Sequence, residues 1–194
     1  MIPMAITMGD ASGVGPEIVL RQYAAGELDD NVLVYGDAEI LRAGGEMLGL
    51  SLEPHVVTKP DDRVSGRLNV IDLARLEAGD LTPGVLNKRS GRAARDYVEK
   101  ATLDALEATV AGVVTLPMNK QATQMSDQSF VGHTEFIAGL CGVTNFSMML
   151  TTSDVAVSHV STHVALSEAI GLVTAQRVGN VIELTHNTLA RFIE

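Results

Sequence analysis

Two short apolar runs, each broken by a glycine and passing directly into a helical pattern, set the architecture open to this chain. Met4 to Met8 has the length of a buried strand, runs into Gly9-Asp10-Ala11-Ser12-Gly13-Val14-Gly15, and gives way at Pro16-Glu17 to a helix. Proline at the first helical position loses no hydrogen bond, and glutamate there meets the positive end of the helix dipole. Val32 to Tyr35 repeats the unit, with Gly36-Asp37 leading into a helix through Ile40, Leu41 and Met47. Strands joined through helices run parallel, and parallel sheets need both faces covered. The expectation is an α/β fold, with helices on both faces of a largely parallel sheet.

Val56-Val57 and Leu68 to Ile71 read as further strands around a polar connector, Thr58 to Gly66, a candidate loop or subdomain edge. Ser90 opens a long helix whose apolar stripe is Ala94, Tyr97, Val98, Ala101, Ala105 and Leu106, with Arg95, Asp96, Glu99, Lys100 and Asp104 on the opposite face. Gly112 to Leu116, apolar and bounded by glycine and proline, reads as a central parallel strand. Phe146 to Leu150 and Val155 to Val157 read as strands flanking Thr152-Ser153-Asp154. Thr174 caps a last helix from Ala175 to about Ile193, with Val178, Ile182, Thr185, Leu189 and Phe192 along one face.

The net charge of −10 argues against a general nucleic-acid binder, because such affinity rests on neutralising phosphates with Lys and Arg. A small anion would need a local positive pocket, to which Lys88, Arg89 and Arg92, or the isolated Lys120, could contribute. The single Cys141 cannot form an intramolecular disulfide, and no basic region precedes the first apolar run, so the cytoplasm is the expected location. Phe136 to Ser153 is uncharged over a span-like length, but Gly139, Gly142, Thr144, Asn145, Ser147 and Thr151 make it too polar for a lipid-facing helix.

Three of the five histidines, His133, His159 and His163, lie in one central region. Imidazole is suited to metal binding and to proton transfer near neutrality. His159 and His163 stand four apart, on one side of either a helix or a strand. Val160 stands where a zinc-protease helix needs glutamate, which excludes that chemistry; hydrogen-bonded structural histidines are the plain alternative. The glycine-rich turn could cradle a phosphate at a helix start, or be a tight turn needing positive φ with Asp10 as its cap. It has neither a third glycine at dinucleotide spacing nor a Gly-Lys-Ser/Thr, which disfavours a P-loop nucleotide hydrolase. Lys120 follows the carboxyl end of an apolar strand, where it could meet a phosphate or carboxylate or simply be solvated.

Taken together, Ala5-Ile6-Thr7-Met8-Gly9-Asp10, Gly13-Val14-Gly15-Pro16-Glu17-Ile18, Ser90-Gly91-Arg92-Ala93-Ala94, Pro117-Met118-Asn119-Lys120, Gly132-His133-Thr134-Glu135 and Thr162-His163 resemble the 4-hydroxythreonine-4-phosphate dehydrogenase family of vitamin B6 biosynthesis. That family includes dehydrogenases of 4-phosphorylated threonate and erythronate. The resemblance implies α/β/α layers like those of isocitrate and isopropylmalate dehydrogenases, with residues 1–194 forming the N-terminal portion of a two-domain enzyme. It also implies a homodimer, NAD or NADP, and a divalent metal (Zn, Mg, Mn, Co or Ni). The reaction implied is oxidation and decarboxylation of a phosphorylated hydroxy acid. By the same resemblance His133 and Thr134 would bind substrate and His163 would be one of three histidine metal ligands. Lys120 is a further substrate-binding candidate, and no residue is assigned to proton transfer or to the cofactor.

Three departures from the family pattern stand out. Ala11-Ser12 replaces Pro-Ala in the first turn, and Val131 replaces the proline before Gly-His-Thr-Glu, changes that affect loop stiffness more than chemistry. The chain also ends at Arg191-Phe192-Ile193-Glu194, before the family's Asn-Pro-His-Ala-Gly motif and its other two metal histidines. The expectation is that this polypeptide alone has little dehydrogenase activity, whether as a piece of a longer enzyme or as a non-catalytic substrate-binding module. Intact-mass measurement alongside a turnover assay checks this.

Overall fold

The computed structural model describes residues 1–191 and divides into two compact units, Met1–Cys141 and Gly142–Glu194. The first is built on five parallel strands: β1 (Met4–Thr7), β2 (Val32–Gly36), β3 (His55–Val57), β4 (Asn69–Asp72) and β5 (Gly112–Thr115), in the order β3-β4-β2-β1-β5. Ile6 lies opposite Val34 on one side and Val114 on the other. Helix α1 (Gly15–Ala24) joins β1 to β2, α2 (Ala38–Met47) follows β2, and α3 (Lys88–Leu106) leads from β4 to β5. The β1-to-β2 and β4-to-β5 connections step in opposite directions across the sheet, so right-handed crossovers place α1 and α3 on opposite faces. Stepping the same way as α1, α2 packs against it.

Local chemistry explains where the helices begin. Gly15 opens α1 because the backbone presses on β1: a Cβ there would lie 2.1 Å from the Met8 carbonyl oxygen. Asn87 opens α3 by accepting hydrogen bonds from the N–H groups of Arg89 and Ser90, so this helix starts before Ser90 rather than at it. Its inner face buries Ala94, Tyr97, Val98 and Ala101, as expected, and Ala93 besides. Two residues depart from the expected stripe. Asp104, seven positions past Tyr97, returns to the buried side, where its carboxylate accepts from the Tyr35 hydroxyl at 2.7 Å and from Lys100 Nζ at 2.6 Å. Leu106, nine positions past Tyr97, is rotated half a turn away and is 55% exposed.

The connector Thr58 to Gly66 is a loop holding one 3-10 turn, Pro60–Asp62, and lies inside the first unit rather than at a subdomain edge. Among the described residues β5 is an edge strand rather than a central one, bonded to β1 alone, with Val114 44% exposed. A run of β-branched residues reports a half-buried pleated surface and does not report how many neighbours the strand has. Two helices not anticipated from the sequence follow it, α4 (Lys120–Gln124) and α5 (His133–Leu140).

The second unit holds the antiparallel pair β6 (Met149–Thr151) and β7 (Ala156–Ser158), then α6 (Leu166–Leu172) and α7 (Ala175–Leu189). β6 begins later than the expected Phe146 because Arg177 holds that segment from the side: Nη2 donates to the Phe146 carbonyl at 2.8 Å and Nε to that of Val160 at 2.9 Å. Thr174 caps α7 through the Arg177 N–H. Of the α7 stripe, Ile182 is 64% exposed while its neighbour Val181 is buried; Phe192 and Ile193 lie outside the described residues. No helix among the described residues is long and apolar enough to cross a membrane.

Candidate active site

The loops after β1 and β5 part to opposite faces of the sheet, the first into α1 and the second into α4, which packs on α3. Such a parting of neighbouring loops leaves a crevice at the carboxyl ends of the strands, where open α/β sheets bind ligands. At their bases the two loops touch: Gly9 has φ +75°, and a Cβ at this position would lie 2.5 Å from the Pro117 carbonyl oxygen, to which the Asp10 N–H donates at 3.1 Å. The positive φ expected of this turn belongs to Gly9; Gly13 and Gly15 adopt ordinary backbone angles. Asp10 is buried and acts as the cap of the turn, accepting from the Ser12 N–H at 2.8 Å and from the Ser90 hydroxyl. Its carboxylate thus serves the loop.

Lys120 is the first residue of α4, on the carboxyl side of β5 as the sequence implies. Asn119 caps that helix by accepting from the Ala122 N–H at 3.0 Å. The lysine side chain is exposed, with no ion pair among the described residues. Gly91 lets α4 close on α3, since a Cβ there would lie 2.3 Å from the Ala122 carbonyl carbon.

His133 and Thr134 occupy the first turn of α5. Burial pushes the His133 imidazole below its ordinary pKa, so the ring is neutral near pH 7. Its Nε2 is buried without a hydrogen-bond partner among the described residues, and so is Oε2 of Glu135 two residues on. Unpaired buried polar atoms are uncommon, and here two fall within one helical turn. The start of α5 is tethered by Arg95 of α3, whose Nε donates to Asp127 at 3.0 Å while its guanidinium lies 4.9 Å over the Phe136 ring. Phe136 in turn packs on Phe130 with ring centroids 5.7 Å apart. Lys120, His133 and Thr134 therefore belong to one compact unit.

His163 belongs to the other unit. It is exposed, in a bend with φ +59°, a left-handed conformation uncommon for a residue with a Cβ. His159 directly follows β7. The two therefore share no regular element, and the argument from their spacing of four does not apply. Among the described residues no group of three or more His, Cys, Asp or Glu could hold a metal ion. Sequence reasoning makes Ser90 a helix start and puts Arg95 on a solvent-facing side, but does not reveal their parts in organising the first turn and the α5 start; the polar Ser90 directly before Gly91 on an inward face was the available signal for the first.

An open parallel α/β sheet with loops diverging at its carboxyl edge, and an unsatisfied neutral histidine at a helix start, is the architecture of proteins that take small ligands at strand ends. The chain belongs to the PdxA family, described as pyridoxal phosphate biosynthetic protein PdxA, whose profile matches residues 28–194. It is 35% identical over 195 residues to a D-threonate 4-phosphate dehydrogenase of Pectobacterium atrosepticum, covering 97% of this chain and 59% of that protein. A 4-hydroxythreonine-4-phosphate dehydrogenase of Marinobacter nauticus is 32% identical over 190 residues, covering 97% and 56%. The crystal structure of 4-hydroxythreonine-4-phosphate dehydrogenase from Klebsiella pneumoniae superposes with a TM-score of 0.90 at 32% identity, covering 97% and 58%. The fold is thus the isocitrate dehydrogenase-like fold of this family, and the chain spans a little over half the length of these relatives.

Proposed function

We propose that this chain supplies the substrate-holding part of an NAD(P)- and divalent-metal-dependent dehydrogenase that oxidises the hydroxyl of a 4-phosphorylated four-carbon hydroxy acid. The observation that carries this reading is the neutral imidazole of His133, with Nε2 buried and unpartnered at the start of α5. A neutral ring nitrogen of this kind can share a hydrogen bond with a substrate hydroxyl or carboxylate, which would satisfy the orphaned atom. Thr134 beside it adds a hydroxyl donor, and the Lys120 ammonium offers a charge for phosphate or carboxylate. A β-keto acid formed by such an oxidation loses carbon dioxide readily once the developing enolate is stabilised.

Between the two substrates that the relatives' names suggest, identity supports D-threonate 4-phosphate, at 35% against 32%. The second reading, 4-(phosphooxy)-L-threonine converted to 3-amino-2-oxopropyl phosphate, is supported by the family's description as a pyridoxal phosphate biosynthetic protein. His163 is the proposed metal ligand. A catalytic metal ordinarily takes three protein ligands, and the described residues form no such group. The glycine turn likewise lacks a dinucleotide fingerprint, and no cofactor contact is assigned. Assembly as a homodimer is part of the same reading, to be checked by sedimentation.

Calorimetric titration of the chain with each phosphorylated acid tests the proposal. Saturable binding that weakens at least tenfold in His133→Ala, with D-threonate 4-phosphate held more tightly, is expected. Binding of neither acid, or binding indifferent to His133→Ala and Thr134→Val, would overturn it.

A further inference from the structure

The basic side chains of this acidic protein are unevenly placed: five of its fourteen lysines and arginines line two adjoining cavities at the carboxyl ends of β3 and β4. The smaller, of about 280 Å³, is bounded by Arg75, Arg89 and Arg92, with Asp96 as its carboxylate among the described residues and Ala74 and Ala93 as its small walls. The larger, of about 790 Å³, shares Arg75, Arg92 and Asp96 with it.

Two of the three arginines are already held by carboxylates. Arg75 Nε lies 3.1 Å from Asp96, and its own backbone N–H donates to the buried Asp37 at 2.9 Å. Arg89 Nη1 lies 2.8 Å from Asp80. Arg92 has neither an ion pair nor a side-chain hydrogen bond among the described residues, although the arginines one turn before it and beyond it on the cavity wall are already positioned. Ala74, which leads the chain from β4 into this wall, has φ +49°, a left-handed conformation that a methyl group disfavours. Three guanidinium groups facing one small cavity repel one another, and the Asp96 carboxylate there is engaged by Arg75 and, at 3.4 Å, by Arg95. Arg92 is left as the guanidinium without a counter-charge among the described residues, beside two that are already held. Guanidinium forks suit phosphate oxygens, and two of the three are preorganised, which lowers the entropy lost on binding.

We infer that Arg75, Arg89 and Arg92 form a binding site for a small phosphate dianion, inorganic or as the phosphoryl end of an ester whose body extends into the larger cavity. The site stands on its own residues and does not depend on the dehydrogenase reading.

The test titrates inorganic phosphate and glycerol phosphate into the chain at low ionic strength, following amide and arginine side-chain NMR signals. The variants are Arg92→Gln, Arg75→Gln and Lys120→Gln, with thermal melting to confirm that each is folded. Saturable shifts at Arg75, Arg89 and Arg92 are expected. Arg92→Gln should weaken binding about tenfold or more, since one charge-assisted contact is lost, and Lys120→Gln should leave it unchanged. Glycerol phosphate that also shifts residues of the larger cavity assigns the ester form; shifts confined to the three arginines assign the inorganic ion. Absence of saturable binding, or binding that is lost in Lys120→Gln and kept in both arginine variants, would overturn the inference.

Discussion

Replacing Gly91 by alanine puts a methyl carbon 2.3 Å from the Ala122 carbonyl carbon, 2.5 Å from the Thr123 nitrogen and 2.6 Å from the Ala122 oxygen. All three are backbone atoms, so no rotamer change relieves the contact. Bringing the closest one out to 3.4 Å, where ordinary contact begins, requires α4 to retreat from α3 by about 1.1 Å, the difference between 3.4 and 2.3 Å. Overpacking of this kind costs about 3 kcal/mol at the upper end of its usual range, and the better helix propensity of alanine returns roughly 1 kcal/mol. The net loss of about 2 kcal/mol corresponds to a melting point lower by roughly 4–8 °C in a chain of this size. Thermal unfolding followed by circular dichroism measures it. Gly139→Ala is the control, because Gly139 lies in α5 with no heavy atom within 4 Å of the added carbon, and a gain of about 0.5–1 kcal/mol is expected there. A Gly91→Ala protein melting at or above the wild-type temperature would refute the packing argument, and with it the view that this glycine lets α4 close on α3.

Tyr97→Phe removes the 2.6 Å hydrogen bond to Asp37, a carboxylate whose pKa burial already raises, and should lower stability in urea by about 1–3 kcal/mol. Tyr23→Phe, which loses an exposed bond to the Gly66 carbonyl, should change it by well under half as much. His133 takes up a proton more readily when unfolded than folded, because burial lowers its folded pKa. Its contribution is therefore fully present above the unfolded value of about 6.5 and declines as pH falls from there through the folded pKa. His133→Asn should flatten that part of the stability profile; an unchanged slope between pH 7 and 5 would show that the imidazole is solvated. Arg177→Leu removes donors to the Val160 and Phe146 carbonyls and to Asn145 Oδ1, so amide exchange across β6, β7 and α7 should accelerate, by about tenfold or more for the loss of one to two charge-assisted bonds.

The parallel sheet was legible because β1, β2 and β5 are apolar runs ended by glycine or proline, and the helices α1, α2 and α3 span several turns. Lys120 could be placed at a strand's carboxyl end for the same reason: Pro117 stops β5. The short helices α4 and α5 were not legible, since five and eight residues are too few for a 3.6-residue period to show. The charge of Asp104 points to solvent, whereas its burial depends on the Tyr35 hydroxyl, 69 positions away in sequence, together with Lys100 one turn before it. The same limit applies to His133: its residue type was evident, while the orphaned nitrogen that makes it chemically interesting depends on packing from α3 and the Phe130 loop. Whether β5 is central or at a rim is a matter of neighbours, which composition does not report.

That rim has a practical consequence. Gly112 to Thr115 present an uncharged stretch, with outward N–H and C=O groups unmatched among the described residues and no lysine or proline to discourage another backbone from zipping onto them. Handling the polypeptide at millimolar concentration favours strand-to-strand sticking there, and a single lysine in place of Val114 would be the smallest deterrent.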